Sequence, residues 1–208
     1  MAGLGRGCLI AFEGLDGLGK STQLERLRDW LLARGYAVTA VREPGGTALG
    51  ESIRTLLLTA EAEPTPMAEA LLFAAARAEL LARVVRPRLT AGDIVLMDRY
   101  LESSVAYQGY GAEVGPDAVM ALNQIATGGL LPSLTLLFSG RGFAERPKDR
   151  IEERPPAFRD RVREGYARLA DEFPHIQIVE ADRPPEDVAA HIRRIVEPYL
   201  EPKGEARG

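Results

Sequence analysis

The sequence predicts an α/β fold, a mainly parallel sheet with helices on both faces. Three observations carry that expectation. Short apolar runs recur at 8–13, 37–42, 93–98, 134–138 and 176–179. Longer segments with helical spacing of apolar residues separate them. A glycine-dense stretch, "GLDGLGKS" at 14–21, directly follows the first run and leads into the first helical segment.

"CLIAFE" (8–13) is apolar at every position but the last, the pattern of a strand buried on both faces. Residues 21–34 follow as a helix, with Leu24, Leu27 and Leu31 on one face and Gly35 as the stop. "AVTAVR" (37–42) is the second strand. Residues 48–58 and 66–89 read as helices, the latter rich in alanine and leucine, opened by Pro66 and closed by Gly92. "DIVLMD" (93–98), "LTLLF" (134–138) and "IQIV" (176–179) are the third, fourth and fifth strands. Helices are expected at 101–108, 116–127, 157–172 and 185–200. The polar, proline-bearing stretch 139–156 is expected to be an exposed loop, and 201–208 a loose tail. There are no repeats and no linker, so residues 1–208 are expected to form one domain.

An apolar fraction of 46% and a charged fraction of 27% are those of a soluble globular chain. The net charge of -4 gives no general attraction to nucleic acid or to acidic membranes. Any bound anion must therefore meet a local positive site. Cys8 is the only cysteine, so an internal disulfide is excluded and a reducing cytoplasm is the expected home. Cys8 itself reads as a small buried hydrophobe within its apolar run. The N-terminal stretch lacks the pattern of a signal peptide, and no apolar run approaches the ~20 residues of a membrane span. His175 and His191 stand in no metal-like cluster and are expected at the surface.

Residues 14–21 fit G-x-x-x-x-G-K-[ST], in the strand-to-helix context that the motif requires. Its glycines let successive backbone N–H groups turn toward one centre at a helix N-terminus, which is an anion site. The expected polyphosphate cradle comprises Gly14, Leu15, Asp16, Gly17, Leu18, Gly19, Lys20, Ser21 and Thr22. Lys20 reaches the outer phosphates, and Ser21 can hold Mg²⁺. Asp98 ends the third strand, at the sheet edge where ligands bind. An acid there can orient the same Mg²⁺ through water. Arg42 and Arg99 end the second strand and follow the third, so both reach the ligand edge and can clamp a second phosphate group. Two phosphate centres suggest a kinase whose acceptor is itself a phosphate. A phosphate monoester has its second pKa near ~6 and is already a nucleophile at pH 7, so no general base is required.

The stretches "FEGLDGLGKSTQ", "REPGGT", "LLFAAARAEL", "DRYLESSVAYQGYG", "DRIE" and "RVREGYARLA" together resemble the thymidylate kinase family of P-loop nucleoside monophosphate kinases. They stand in family order from about Leu9 to Leu169. The resemblance implies that fold with a five-stranded sheet and a short lid at about 139–156. It implies transfer of the ATP γ-phosphoryl group to dTMP, giving dTDP for dTTP synthesis, with Mg²⁺, in a cytoplasmic homodimer. By motif position, Asp16 holds the sugar 3′-hydroxyl. Phe73 stacks on thymine, and Arg77, four residues on and on the same helical face, donates to the edge of the base. Arg99 binds the dTMP phosphate. Tyr107 crowds the 2′ position, and Ser104 and Gln108 lie near the base. In some members an arginine follows the loop aspartate, where Gly17 stands here. The missing cation is expected from the lid, which carries Arg141, Arg146, Lys148 and Arg150, with Arg146 and Arg150 favoured. Two departures stand out. Leu18 occupies a loop position that is usually small, and the segment after the fourth strand is a few residues short and lacks the acidic stretch that usually follows that strand in the family. Two alternatives stay open: another small-molecule P-loop kinase, or a nucleotide-binding protein whose unusual lid impairs catalysis. A GTPase is disfavoured, because there is no N-K-x-D motif.

Overall fold

The computed structural model describes residues 7–59, 63–141, 150–151 and 153–200. Five strands form one sheet: β1 (Cys8–Gly14), β2 (Val38–Arg42), β3 (Ile94–Asp98), β4 (Leu134–Ser139) and β5 (Ile176–Glu180). Their order is β2-β3-β1-β4-β5, and every pairing is parallel. The eight α-helices among the described residues are α1 (Lys20–Ala33), α2 (Ala48–Leu58), α3 (Pro66–Leu80), α4 (Arg86–Thr90), α5 (Leu101–Ser104), α6 (Pro116–Thr127), α7 (Pro156–Glu172) and α8 (Pro185–Val196).

Alternation along β1 sorts the core into two layers. Ile10 and Phe12 face α1 and α8, packing with Leu24, Leu27, Leu31, Val188 and Ile192. Leu9 and Ala11 face the other way, against Leu80, Leu81, Val85, Tyr100 and Leu101. Glu13 shares the parity of Leu9 and Ala11, so its carboxylate enters the layer on the α5 side. Leu18, whose bulk is unusual at its loop position, points into the first layer and is buried there. Cys8 packs half-buried against the same layer.

The expected 66–89 helix is continuous in path but not uniform. A π-helical turn, Leu81–Val85, separates α3 from α4. Pro87 lies just beyond it and cannot donate to the Arg83 carbonyl; the wider turn relieves the clash of its ring with that group. The expected 101–108 helix is four α-helical residues followed by a π-helical segment, Val105–Gly111. The 185–200 helix ends at Val196 and tightens into a 3₁₀ turn, Glu197–Tyr199. Not all of 139–156 is an exposed loop, because Ile151 is buried in the core beside Phe158 and Tyr166. His175 is not a surface residue either. Its side chain is half-buried, with Nε2 3.3 Å from Glu102 Oε1.

Candidate active site

The C-terminal ends of β1 and β3 open onto a cavity of about 980 Å³. Its floor is the turn from β1 into α1. Gly14 has φ 124°, and a Cβ there would lie 2.5 Å from the Phe138 carbonyl oxygen of the neighbouring strand. Only glycine fits that approach. Gly19, at φ 80°, precedes α1, whose first turn holds neither an acidic side chain nor a side-chain cap. The N-terminal amides of a 14-residue helix therefore face the cavity open to an anion. Asp16, Gly17, Gly19, Lys20, Ser21 and Thr22 line the wall, while Leu15 and Leu18 turn their side chains into the core.

Lys20 is buried and curls back on its own loop. Its ammonium donates to the carbonyls of Gly14 at 3.0 Å and Leu15 at 2.7 Å, and lies 3.7 Å from Asp16 Oδ1. Burial lowers its pKa to about 8; Arg99 pushes the same way, and Asp16, Asp98 and Glu13 oppose. Ser21 Oγ donates to Asp98 Oδ2 at 2.8 Å, so the two predicted metal-facing oxygens are neighbours. Among the described residues there is no cluster of three or more histidine, cysteine or acidic side chains suited to a metal. Two protein oxygens suit an ion that keeps its waters and leans on phosphate, as Mg²⁺ does.

Arg99 carries the second positive centre and sits at φ 70°, uncommon for a residue with a side chain. The backbone is pinned on both sides. The Arg99 N–H donates to the Phe12 carbonyl at 3.0 Å, and the Tyr100 N–H donates to Glu13 Oε1 at 2.7 Å. Its guanidinium donates to Asp16 Oδ1 at 2.7 Å, to Ser103 Oγ at 2.9 Å, and to the hydroxyls of Tyr107 and Tyr166 at 3.3 Å. Asp16 thus stands between two cations, Lys20 and Arg99. Glu13 lies directly behind and is fully buried. It accepts from Tyr100 N–H, Ser103 N–H, Ser103 Oγ at 2.5 Å and Tyr166 OH at 2.8 Å. Burial and the nearby Glu102 raise its pKa to about 7, against Arg99 and its hydrogen-bond donors.

The remaining wall is built by Phe73 from α3, by Ser104 from α5, and by Tyr107 and Gln108 from the π-helical segment. The structure brings these four expected residues together. It does not bring Arg77 to the wall. Arg77 is 1% exposed; its guanidinium donates to Glu43, Ser104, Asn123 and the Tyr100 carbonyl, and its Nη2 lies 2.6 Å from Glu43 Oε2. A direct contact from Arg77 to a base is therefore not what this arrangement presents; the arginine stands behind Ser104. Arg42 reaches the cavity rim but pairs with Glu51 at 3.2 Å, both side chains being exposed. Arg54, not foreseen, lines the same rim and donates to the Pro44 carbonyl at 2.9 Å.

The lid expectations divide. Arg146 and Lys148 lie outside the described residues. Arg141 is exposed and pairs with Asp182 at 3.4 Å. Arg150 does not face the cavity. It donates to the Leu57 carbonyl at 3.0 Å and to buried Glu69 at 2.7 Å, so its charge is already matched elsewhere. Sequence reasoning missed Glu13, Glu43, Glu69, Asn123 and Tyr166. Glu13 alone carried a local signal, an acid at the end of an otherwise apolar strand.

The family model described as Thymidylate kinase matches residues 12–192. A thymidylate kinase from Gloeobacter violaceus is 50% identical over 201 residues, covering 92% of this chain and 95% of that protein. One from Leifsonia xyli subsp. xyli is 47% identical, covering 90% and 93%. The crystal structure of thymidylate kinase from Ehrlichia chaffeensis superposes with a TM-score of 0.77 at 30% identity, covering 92% of this chain and 98% of that one. A phosphate loop at the β1 edge, a second cationic centre at the end of β3 and similarity over nine-tenths of the length agree: the chain belongs to the thymidylate kinase family.

Proposed function

We propose that this cavity transfers the γ-phosphoryl group of ATP to the phosphate of dTMP, giving dTDP and ADP. One observation supports it above the others: two positive centres, Lys20 and Arg99, face one cavity across a shared carboxylate, Asp16. The phosphate loop and the α1 N-terminus receive the ATP phosphates, and Lys20 exchanges its bonds to loop carbonyls for phosphate oxygens. Arg99 receives the dTMP phosphate, with Arg42 at the rim. A phosphate oxygen of dTMP attacks Pγ, a new O–P bond forms, and the bond to the β-phosphate oxygen breaks. ADP leaves with that electron pair. The acceptor is already ionised at pH 7, so no base is needed. Catalysis is alignment and charge neutralisation.

Ser21 and Asp98 would hold Mg²⁺, which when bound neutralises charge developing on the phosphate oxygens. On the nucleoside side, Phe73 stacks on the base, Asp16 accepts from the sugar 3′-hydroxyl, and Tyr107 closes the 2′ side. Ser104 accepts from Arg77 at 3.0 Å, so its own O–H is the donor left for thymine O4. Arg77 serves the base edge through that hydroxyl. Arg146 remains the lid arginine proposed to meet the transferring group. Its replacement by alanine lowers kcat while leaving dTMP affinity nearly unchanged. Leu49 and Leu56 on α2 and Met67 and Leu71 on α3 are exposed on adjacent helices, which supports a homodimer through that face. Among the described residues no helix is long and apolar enough to cross a membrane. The cytoplasm is the proposed compartment.

The test is a substrate panel with ATP and Mg²⁺, reading ADP release. dTMP should give the highest kcat/KM. Equal values for dTMP, dCMP and dGMP would leave only a generic kinase. No ADP release with any of them would leave a nucleotide-binding protein.

A further inference from the structure

Glu69 has no part in the reaction just described, yet it is fully buried beside the nucleoside wall. Its Oε1 accepts from Gln108 Nε2 at 3.0 Å. Its Oε2 accepts from Arg150 at 2.7 Å and from Arg154 at 2.5 Å. Two guanidinium groups take its Oε2, and the Oε1 that remains is the acceptor for Gln108. Gln108 must therefore turn its NH₂ toward Glu69. The amide is planar, so the carbonyl oxygen faces the other way. Gln108 lines the cavity with Phe73, Ser104 and Tyr107, and its carbonyl oxygen takes no hydrogen bond among the described residues.

We propose that Glu69 is a positioning residue for base selection. By holding the amide N–H of Gln108, it presents the Gln108 carbonyl oxygen to the base. The proposal rests on the dTMP reading above. Thymine offers an N3–H donor beside the O4 acceptor; cytosine offers an N3 lone pair beside an N4 amino donor. An oriented Gln108 carbonyl accepts from thymine N3–H and repels the cytosine lone pair. Ser104, which accepts one hydrogen bond from Arg77, keeps its O–H as a donor for thymine O4. Discrimination between the two bases then rests on which end of the Gln108 amide faces them. Without Glu69, the amide of Gln108 could rotate and meet either base, because its two ends are nearly equal in size.

The experiment compares kcat/KM for dTMP and dCMP in the full chain with ATP and Mg²⁺. Glu69→Gln should lower the dTMP/dCMP ratio by ~10-fold or more. The change should come from a higher KM for dTMP and a gain on dCMP, with kcat for dTMP altered much less. Gln108→Leu leaves the Glu69–arginine pairs intact and should lower the ratio similarly. Adding Glu69→Gln to it should not lower the ratio further, whatever happens to Tm. A merely structural Glu69 predicts equal losses on both substrates; an unchanged ratio in folded Glu69→Gln overturns the proposal. If Glu69→Gln does not fold, an unchanged ratio in Gln108→Leu overturns it instead. A wild-type chain without preference for dTMP would refute the dTMP reading itself, a different result from a selective wild type with an indifferent variant.

Discussion

Glu13→Gln tests how the Arg99 centre is held. The variant keeps the shape but must set one NH₂ where an acceptor stood. At the Oε1 end that NH₂ would face two backbone donors, Tyr100 and Ser103, which cannot reverse. At the Oε2 end it faces the hydroxyls of Ser103 and Tyr166, which can rotate and accept. The amide settles there, and two hydroxyls must turn from donating to accepting, a loss of about 1–3 kcal/mol in all. For a chain of this size that is a fall in Tm of roughly 2–12 °C. The effect should depend on pH. The folded-state pKa of Glu13 is raised from 4.5 to about 7, chiefly by burial. Between those values the folded chain keeps a proton that the unfolded chain has lost. Wild-type stability therefore falls as pH rises through this window, and glutamine has no such term. Urea unfolding at pH 5, 6, 7 and 8 and constant ionic strength should show the wild-type advantage greatest at pH 5 and smaller by pH 8. The narrowing is on the order of 1–3 kcal/mol. An advantage that grew with pH would mean that Arg99 and the four donors outweigh burial, and the account of Glu13 would be wrong.

Lys20→Ala should fold normally and lose ~10²-fold or more in kcat, since one charge on the transferring phosphates is gone; near-normal turnover would refute the phosphate-loop assignment. With the Lys20 pKa at about 8 in the free protein, kcat/KM should fall as pH rises past that value, because the charged form is lost. In kcat the same limb should move to higher pH, because bound phosphates favour the ammonium; a limb at one pH in both would point to another group. Phe73→Ala should weaken dTMP binding by roughly 1–3 kcal/mol, measured by calorimetry, while ATP binding stays unchanged. An unaltered dTMP affinity would remove Phe73 from the base site.

What was legible in the sequence follows from how locally each feature is encoded. The strands were legible because burial on both faces makes each one an apolar run. The π-helical turn before Pro87 had a local cause. The longer one, Val105–Gly111, packs against α6 and α7, elements that no pattern within it names. The phosphate loop, Asp98 and Arg99 occupy contiguous motifs. Phe73 and Arg77 do share a helical face, as their spacing of four required. Depth was the hidden variable: Glu43 and Asn123, 34 and 46 residues away, hold the guanidinium beneath the wall. Arg150 likewise looked free to serve the phosphates, until the fold supplied Glu69, 81 residues before it. Glu13 marks the boundary most clearly. A carboxylate in a buried strand must find donors, because leaving it unmatched would cost several kcal/mol. That much follows from "CLIAFE" alone. Which donors it finds depends on strand order. With β3 beside β1, the chain leaving Asp98 passes over Glu13, which captures the N–H groups of Tyr100 and Ser103. The residue between them and the strand end is Arg99, turned into its unusual φ and aimed at Asp16. The buried acid thus fixes Arg99 through the backbone, a dependence set by topology.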